Sequence, residues 1–517
     1  MKRSDKPFKI ISLFSGCGGL DLGFAQSGEK TLDWEKEGLK KPSEKNFQTI
    51  WANDVFEPAC RTYSYNFGLK FNKELEEKPE KPTVFCGEVE KVKGDFRRIA
   101  DKNQVDGVLG GYPCQDFSIV RGGEKRKGID VERGRLYCHF VHALITLQPK
   151  FFVAENVMGL VSANDGLAYE QIKKDFRGLN VRYKDIEAEY EQEIKSSEDN
   201  VKPYSLLFSD VVDFSNLGVP QGRKRLIMIG IRRDLGDKIG KDLWKEKKKE
   251  TANLLKNGGS LLNRAPLTPI EVFHGEPLGK LQEKYKTIMK DYEEEIHEIS
   301  SERQKEYLEE VWPKYSFDVW GDYKWINQNK KDSGMPEKKE ISTDHKKVLK
   351  ELGYINEELP EKKDFEDDSN QLLREIERVE KRMSHIPPNE NHEFVKNTEH
   401  HVNGLMSNIY RRIHPLKPSP TIIARGGGGT WGYHYSQDRQ RMTNRERARL
   451  QTFPDCLLFK GKSGEVRRQL GEAVPPLASK QIAQQVVSVL KAVQNPPERE
   501  TEKLERPKKA KSLTEFA

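Results

Sequence analysis

The run Val108-Leu109-Gly110-Gly111-Tyr112-Pro113-Cys114-Gln115-Asp116-Phe117-Ser118 carries the side chain best suited to act as a nucleophile. An apolar stretch ends in two glycines, a proline and one cysteine. That pattern reads as a buried strand running into a loop with a thiol at its tip. The glycines allow a ligand or another backbone to come close, and Pro113 stiffens the turn before the sulfur. A lone cysteine at a strand end is ordinarily a small apolar core residue. The Gly-Gly-Xaa-Pro-Cys-Gln surround points instead to a placed nucleophile.

Such a thiol needs partners, and the first half of the chain offers three kinds. Glu155 follows the apolar run Phe151-Phe152-Val153-Ala154. It is expected at the C-terminal end of a strand, the edge where open α/β sheets place their sites, with a helix cap as the plain alternative. Gln221-Gly222-Arg223-Lys224-Arg225 supplies paired arginines before a further apolar run. The strand Phe8-Lys9-Ile10-Ile11-Ser12-Leu13-Phe14 opens into Ser15-Gly16-Cys17-Gly18-Gly19-Leu20. This is the layout of a nucleotide-type cofactor loop, although its spacing falls short of Gly-x-Gly-x-x-Gly and a tight strand-to-helix turn would look similar. Asp54 ends the second strand, where an acid commonly binds ribose hydroxyls; otherwise it caps a helix over 57–66. Residues 84–89 predict a third strand bearing Glu88. Together a thiolate, an acid and an arginine could add to an electron-poor ring, hydrogen-bond its nitrogen and hold its oxygen.

The elements behind these residues follow a strand–helix rhythm from 8 to 232. The prediction is a doubly wound, mostly parallel sheet covered on both faces. A helix is expected over 136–147 and strands over 206–208 and 226–231. Residues 28–47 form a charged insertion. Residues 121–135 form a glycine-rich basic loop suited to a phosphate backbone, although a charge run is usually just a solvated surface. Beyond about 260 the rhythm breaks. Apolar residues at helical spacing over 281–299 predict one amphipathic helix. Residues 312–360 show no period, 371–383 predict a charged helix, and 420–425 predict a strand running into four glycines. Helices are expected over 442–453, with Thr443 as cap, and over 477–493.

The chain has 517 residues, too many for one ordinary core, so two or more domains are expected. The net charge of +7 is small for this length; it permits a nucleic-acid partner without arguing for one. Six cysteines, at 17, 60, 86, 114, 138 and 456, contain no Cys-x-x-Cys pair, and no metal site is expected. With no apolar run near the ~20 residues that span a bilayer, the reading is a soluble cytoplasmic protein.

Taken together, the motifs resemble those of the DNA (cytosine-5)-methyltransferases of restriction–modification type. The matching runs are Phe14 to Leu20, Gly111 to Ser118 and Glu155-Asn156-Val157, then Gln221 to Arg225, Arg412 to Gly429, Arg449-Leu450-Gln451-Thr452-Phe453-Pro454 and Gly471-Glu472-Ala473-Val474-Pro475-Pro476. Their order is that of the family, and mainly 263–405 is left uncovered.

The resemblance implies the S-adenosylmethionine-dependent fold with an inserted target-recognition domain. It divides the chain into a catalytic and cofactor-binding domain over 1–262, recognition over 263–465, a segment over 466–494 completing the catalytic domain, and a disordered tail over 495–517. It implies a catalytic set of Cys114, Glu155, Arg223 and Arg225. S-adenosylmethionine would be held by Phe14, Ser15, Gly16, Gly18, Gly19, Leu20, Asp54, Val55, Glu88, Val89, Pro113, Leu136, Glu472, Ala473 and Val474. Double-stranded DNA would meet Gln115, Ser118, Arg121, Lys125, Arg126, Arg425 and Gly427, with the target cytosine flipped out. A monomer is implied, with a cognate restriction endonuclease as genetic partner. Glu472 departs from the family's usual asparagine. Two alternatives stay open at this level: a tRNA methyltransferase of the same fold, and a DNA-binding relative with impaired catalysis.

Overall fold

The structure, a computed structural model, describes residues 6–27, 46–92, 95–101, 104–112, 136–179, 201–257, 261–327, 335–355, 365–372, 375–404, 406–425, 429–430, 432–439 and 441–496. The expected positions Pro113, Cys114, Gln115, Ser118, Arg121, Lys125, Arg126 and Gly427 lie outside them, as do most of the 28–47 insertion and of the tail.

Eight strands form one sheet: β1 (Phe8–Leu13), β2 (Phe47–Asp54), β3 (Lys70–Asn72), β4 (Thr83–Cys86), β5 (Gly107–Gly110), β6 (Phe151–Val157), β7 (Tyr204–Asp213) and β9 (Lys224–Arg232), in the order β3-β4-β2-β1-β5-β6-β9-β7. The neighbours from β3 to β6 pair in parallel, and β9 runs antiparallel to both β6 and β7. β1 and β5 stand at the centre, where the order reverses direction, so the glycine loop and the cysteine loop leave adjacent strand ends. β5 is buried along its whole length, as a strand covered on both faces must be. One apolar cluster, including Ile10, Leu109 and Val153, covers one face; a second, including Ile11, Val108 and Phe152, covers the other.

The sheet departs from the sequence reading in particular places. The strand expected over 84–89 spans 83–86, and Val89 begins a 3-10 turn. The short edge strand β3 was not anticipated, because three residues show no period. The last two strands run antiparallel, which alternation of strands and helices does not reveal.

The 281–299 helix stops at Lys290. The buried Tyr292 donates its hydroxyl to Tyr435 O, and that contact turns the chain before the 3-10 turn at Glu295–His297. Residues 312–360 hold helices Val319–Asn327 and Lys338–Glu351. The first is organised by the Asp322 carboxylate, which accepts from Ser316 N, Ser316 Oγ, Phe317 N and Tyr285 Oη. The helix expected over 371–383 begins at Glu377. The strand expected over 420–425 is only β10 (Ser419–Pro420), which pairs with β8 (Gln221–Gly222). The anticipated cap at Thr443 is present and forms a capping box with Glu446.

Two contacts tie distant parts together. The final helix Pro476–Gln494 lies across helix Gly19–Ala25 so closely that a Cβ at Gly23 would sit 2.4 Å from Lys480 N and 2.6 Å from Pro476 O. Ser479 Oγ donates to Leu20 O in the same contact. The helix Pro269–His274 is fixed to Lys338–Glu351 by a fully buried pair, with His345 Nδ1 2.8 Å from Glu271 Oε1. His345 Nε2 faces Ala265 O at 2.9 Å. Both ring nitrogens therefore face acceptors, an arrangement that favours the doubly protonated ring. Burial opposes that charge, but the Glu271 carboxylate and the Ala265 carbonyl leave the His345 pKa raised.

Gly23→Ala is expected to lose ~1–3 kcal/mol of stability by overpacking against backbone, measured by denaturant unfolding. His345→Leu tests the buried pair through pH. A histidine with a raised folded pKa contributes stability below its unfolded value, ~6.5, and loses it as pH rises through the folded value. The gap in Tm between wild type and variant should be wider at pH 6 than at pH 9.

Candidate active site

At the C-terminal edge of the sheet the sequence elements converge. Glu155 lies inside β6, only 8% exposed. On antiparallel β9, Arg225 pairs in register with Val157, two residues from Glu155 and on the same face. Arg225 Nε meets Glu155 Oε1 at 3.0 Å, and Nη1 donates to Lys224 O at 2.8 Å. Burial raises the Glu155 pKa; Arg225 first, then Arg223, pull it back. The carboxyl group thus keeps its proton to higher pH than a surface glutamate.

Glu155 also touches the root of the cysteine loop. A Cβ at Gly111 would lie 2.8 Å from Glu155 Oε2, so glycine is the residue that leaves this carboxylate room. Asn156 Nδ2 donates to Tyr112 O at 3.2 Å, tying β6 to the residue before Pro113. The chain therefore leaves the described residues two positions before Cys114, directly beside Glu155. Three of the other thiols are poorly suited to act as nucleophiles. Burial pushes Cys17 up to about 12 and also raises Cys60 and Cys86.

Arg223 is fully buried and reaches away from the reacting edge. It donates to Ile422 O at 3.2 Å and to Gly471 O at 2.8 Å. Nearby, Gln221 Oε1 accepts from Ile422 N, and Thr421 Oγ1 donates to Gly222 O. Arg223 thus joins the 419–425 strap and the 471–474 turn to the edge that carries Arg225.

The glycine loop lies beside this edge. Phe14 and Gly16 both have positive φ (54°), and Ser15 N donates to Asn53 O. Nothing lies within 4 Å of a Cβ placed on Gly16. Asp54 accepts from Gly16 N and from Phe56 N, both at 2.8 Å, so the acid braces the loop and does not cap the following helix with its side chain. Each carboxylate oxygen keeps a lone pair for a ligand hydroxyl. Val55 beside it is 66% exposed, an apolar surface at a strand tip. Glu88 is exposed and Val89 buried.

A Cβ at Gly19 would lie 2.3 Å from Val474 O, which brings Glu472, Ala473 and Val474 against the loop. Gly18 (φ 90°) faces Phe67 and Tyr63, Leu20 is buried, and Leu136 opens the helix Tyr137–Leu147. Ser15 Oγ is buried without a hydrogen-bond partner among the described residues. An orphaned hydroxyl, an open glycine, a braced acid and a bare valine fit a ligand that joins an amino-acid end, a ribose and a flat base.

The residue-by-residue reading missed Arg468. Its Nε meets Glu472 Oε1 at 3.0 Å, and its guanidinium lies 4.0 Å from the centre of the Phe56 ring. The unusual acid is thereby paired. The signal was available as an i, i+4 pair on one helix.

Residues 8–488 match the model of the C-5 cytosine-specific DNA methylases. The chain belongs to this family. It is similar to the DNA (cytosine-5-)-methyltransferase M.ApeKI of Aeropyrum pernix, 46% identical over 494 residues that cover 94% of this chain and 99% of the relative. It is also similar, at 30% identity, to the type II methyltransferases M.NgoFVII of Neisseria gonorrhoeae (94% of this chain, 88% of the relative) and M.BbvI of Brevibacillus brevis (95% and 93%). The protein is a DNA (cytosine-5-)-methyltransferase, and its cofactor is S-adenosylmethionine. Among the described residues of this methyltransferase, no helix is long and apolar enough to cross a membrane.

Arg225→Ala should cost the methyltransferase about 3 kcal/mol, because it leaves a buried carboxylate unpaired. In that variant the Glu155 pKa rises further. An acid with a raised folded pKa adds stability while protonated and loses it as pH rises through the folded value. Thermal melts should therefore show a larger deficit at pH 8 than at pH 5.

Proposed function

We propose that the enzyme methylates C5 of a flipped-out cytosine in a specific duplex sequence, through a covalent bond between Cys114 and C6, and protects its host's DNA in a restriction–modification system. The observation that carries this reading is the placement of Glu155, buried between Arg225 and Gly111 at the root of the cysteine loop. Cytosine C6 is a poor electrophile until its N3 is held by a proton donor. Glu155, whose pKa burial raises, is suited to donate that proton. Arg225 holds the ring oxygen O2, and the Cys114 thiolate adds to C6. When bound, S-adenosylmethionine supplies the methyl group that C5 takes. Loss of the C5 proton then expels the thiolate and frees Cys114. Arg223 acts at one remove, by holding the backbone on which Arg225 stands.

For the cofactor, Phe14, Ser15, Gly16, Gly18, Gly19 and Leu20 cradle the amino-acid end together with Glu472, Ala473, Val474, Pro113 and Leu136. Asp54 takes the ribose, Val55 packs on the adenine, and Glu88 and Val89 meet its polar edge. The pairing of Glu472 with Arg468 accounts for an acid at a place where the family usually has asparagine.

The duplex is held by Gln115, Ser118, Arg121, Lys125 and Arg126 from the cysteine loop and by Arg425 and Gly427 from the strap. The catalytic domain spans 1–262 and is completed by 466–494, with recognition carried by the intervening 263–465. The packing of Ala448, Phe453 and Leu457 on Cys17 and Leu22 supports a share for the end of that insertion in the catalytic unit. The enzyme acts as a monomer, with a restriction endonuclease as its genetic partner.

Labelled methyl transfer to cytosine-containing duplexes tests the proposal. Cys114→Ala should abolish incorporation and lose the covalent adduct with 5-fluorocytosine DNA. Glu155→Gln should retain the fold and lose ~10²–10⁴-fold in kcat. Equal activity of wild type and Cys114→Ala would overturn the mechanism.

A further inference from the structure

The inserted region carries a pair of cations that form no ion pair with a carboxylate among the described residues. Arg411 Nη2 and Lys417 Nζ both donate to one oxygen, Asn389 Oδ1, at 3.0 and 3.2 Å. Two like charges are thus held within one hydrogen-bond length of the same neutral acceptor. Glu390 is the acid whose charge acts on both, and it is already committed. Arg303 grips it with two bonds, Nε to Oε2 at 3.0 Å and Nη2 to Oε1 at 2.7 Å. Neither Arg411 nor Lys417 forms an ion pair with a carboxylate among the described residues.

The frame around the pair is firm. Asn389 stands in the left-handed region (φ 69°), its N–H donates to Arg412 O, and Arg412 N donates to Glu390 O. Tyr433 N donates to Arg411 O. Lys417 is exposed and Arg411 half-buried, so the charges open to solvent. Folding brings these charges together, and Glu390, already gripped by Arg303, offsets that cost only in part. An anion bound from outside would offset it.

Lys417 lies two residues before Ser419, which pairs with Gln221 at the start of the run leading to Arg225. The cation pair is therefore anchored to the edge that carries the catalytic pair.

We propose that Arg411 and Lys417, oriented by Asn389, clamp a backbone phosphate of the substrate duplex and so set the register of the recognition region on the DNA. Phosphate contacts of this kind position a protein without reading sequence. The inference rests on the duplex-DNA substrate and not on the roles given to Cys114 and Glu155.

Duplex binding by fluorescence anisotropy over a series of salt concentrations tests it, with S-adenosylhomocysteine present. Lys417→Gln and Arg411→Gln should each lower affinity at moderate salt. The slope of log K against log salt should fall by roughly 0.9 for each phosphate that the protein no longer neutralises. The deficit should be the same on target and non-target duplexes, because the clamp reads no base. Lys417→Arg should restore the slope. The exposed Lys417→Gln change provides the readout if Arg411→Gln lowers Tm.

An unchanged slope in both variants, with wild-type Tm, would overturn the clamp while leaving the catalytic reading intact. A deficit confined to the target sequence would also overturn it, in favour of base reading. Wild-type protein that binds duplexes with no salt dependence would instead remove the duplex-clamp premise itself.

Discussion

The close approach of the C-terminal segment to the glycine loop is the contact on which the rest of this molecule depends. Val474 O and the start of the last helix occupy the space where side chains at residues 19 and 23 would stand. Hydrogen on those two carbons lets a segment more than 450 residues away lie directly on the first helix. The insertion between them is thereby closed into a loop with both ends on the catalytic sheet. Arg223 repeats the arrangement at the other end, joining the strap and the 471 turn to the edge that carries Arg225.

The site is built from charges taken out of water and paired across strands. Glu155 and Arg225 face each other because β6 and β9 are antiparallel neighbours, which puts residues two apart in register on the same face. A parallel β9 would have reversed the order of side chains along that edge. The pair is held back from solvent without being fully neutralised: burial raises the acid's pKa, while two arginines lower it. That balance keeps the carboxyl group protonated to higher pH than a surface glutamate. The glycine loop uses the opposite device. Asp54 accepts two backbone N–H groups and so holds the loop open before any ligand arrives.

Much of this arrangement was legible in the chain. The strands β1, β2, β5, β6, β7 and β9 announced themselves as apolar runs, and the loops following β1 and β5 as glycine clusters. Glu155, Asp54 and Arg225 were identifiable as strand-end charges. The recognition region was far less legible. Helix Val319–Asn327 is organised by Asp322 gathering donors from 285, 316 and 317, an arrangement that no local period encodes. The 281–299 pattern did mark buried residues, since Tyr292 and Ile296 are in the core, but not an unbroken helix. The burial came from a turn that brings Tyr292 to Tyr435.

The sequence by itself determined the order of the central strands' loops and, through the family resemblance its motifs carry, the class of chemistry and the cofactor. Those depend on residue types at fixed short spacings, and short spacings constrain the backbone locally. Tertiary structure alone decided that Arg223 serves the backbone while Arg225 meets Glu155, that Arg468 pairs with Glu472, and that Arg411 and Lys417 converge on Asn389. Each of these depends on which way a side chain points and what stands opposite it. Such facts are settled only when packing brings together segments that are far apart in the chain.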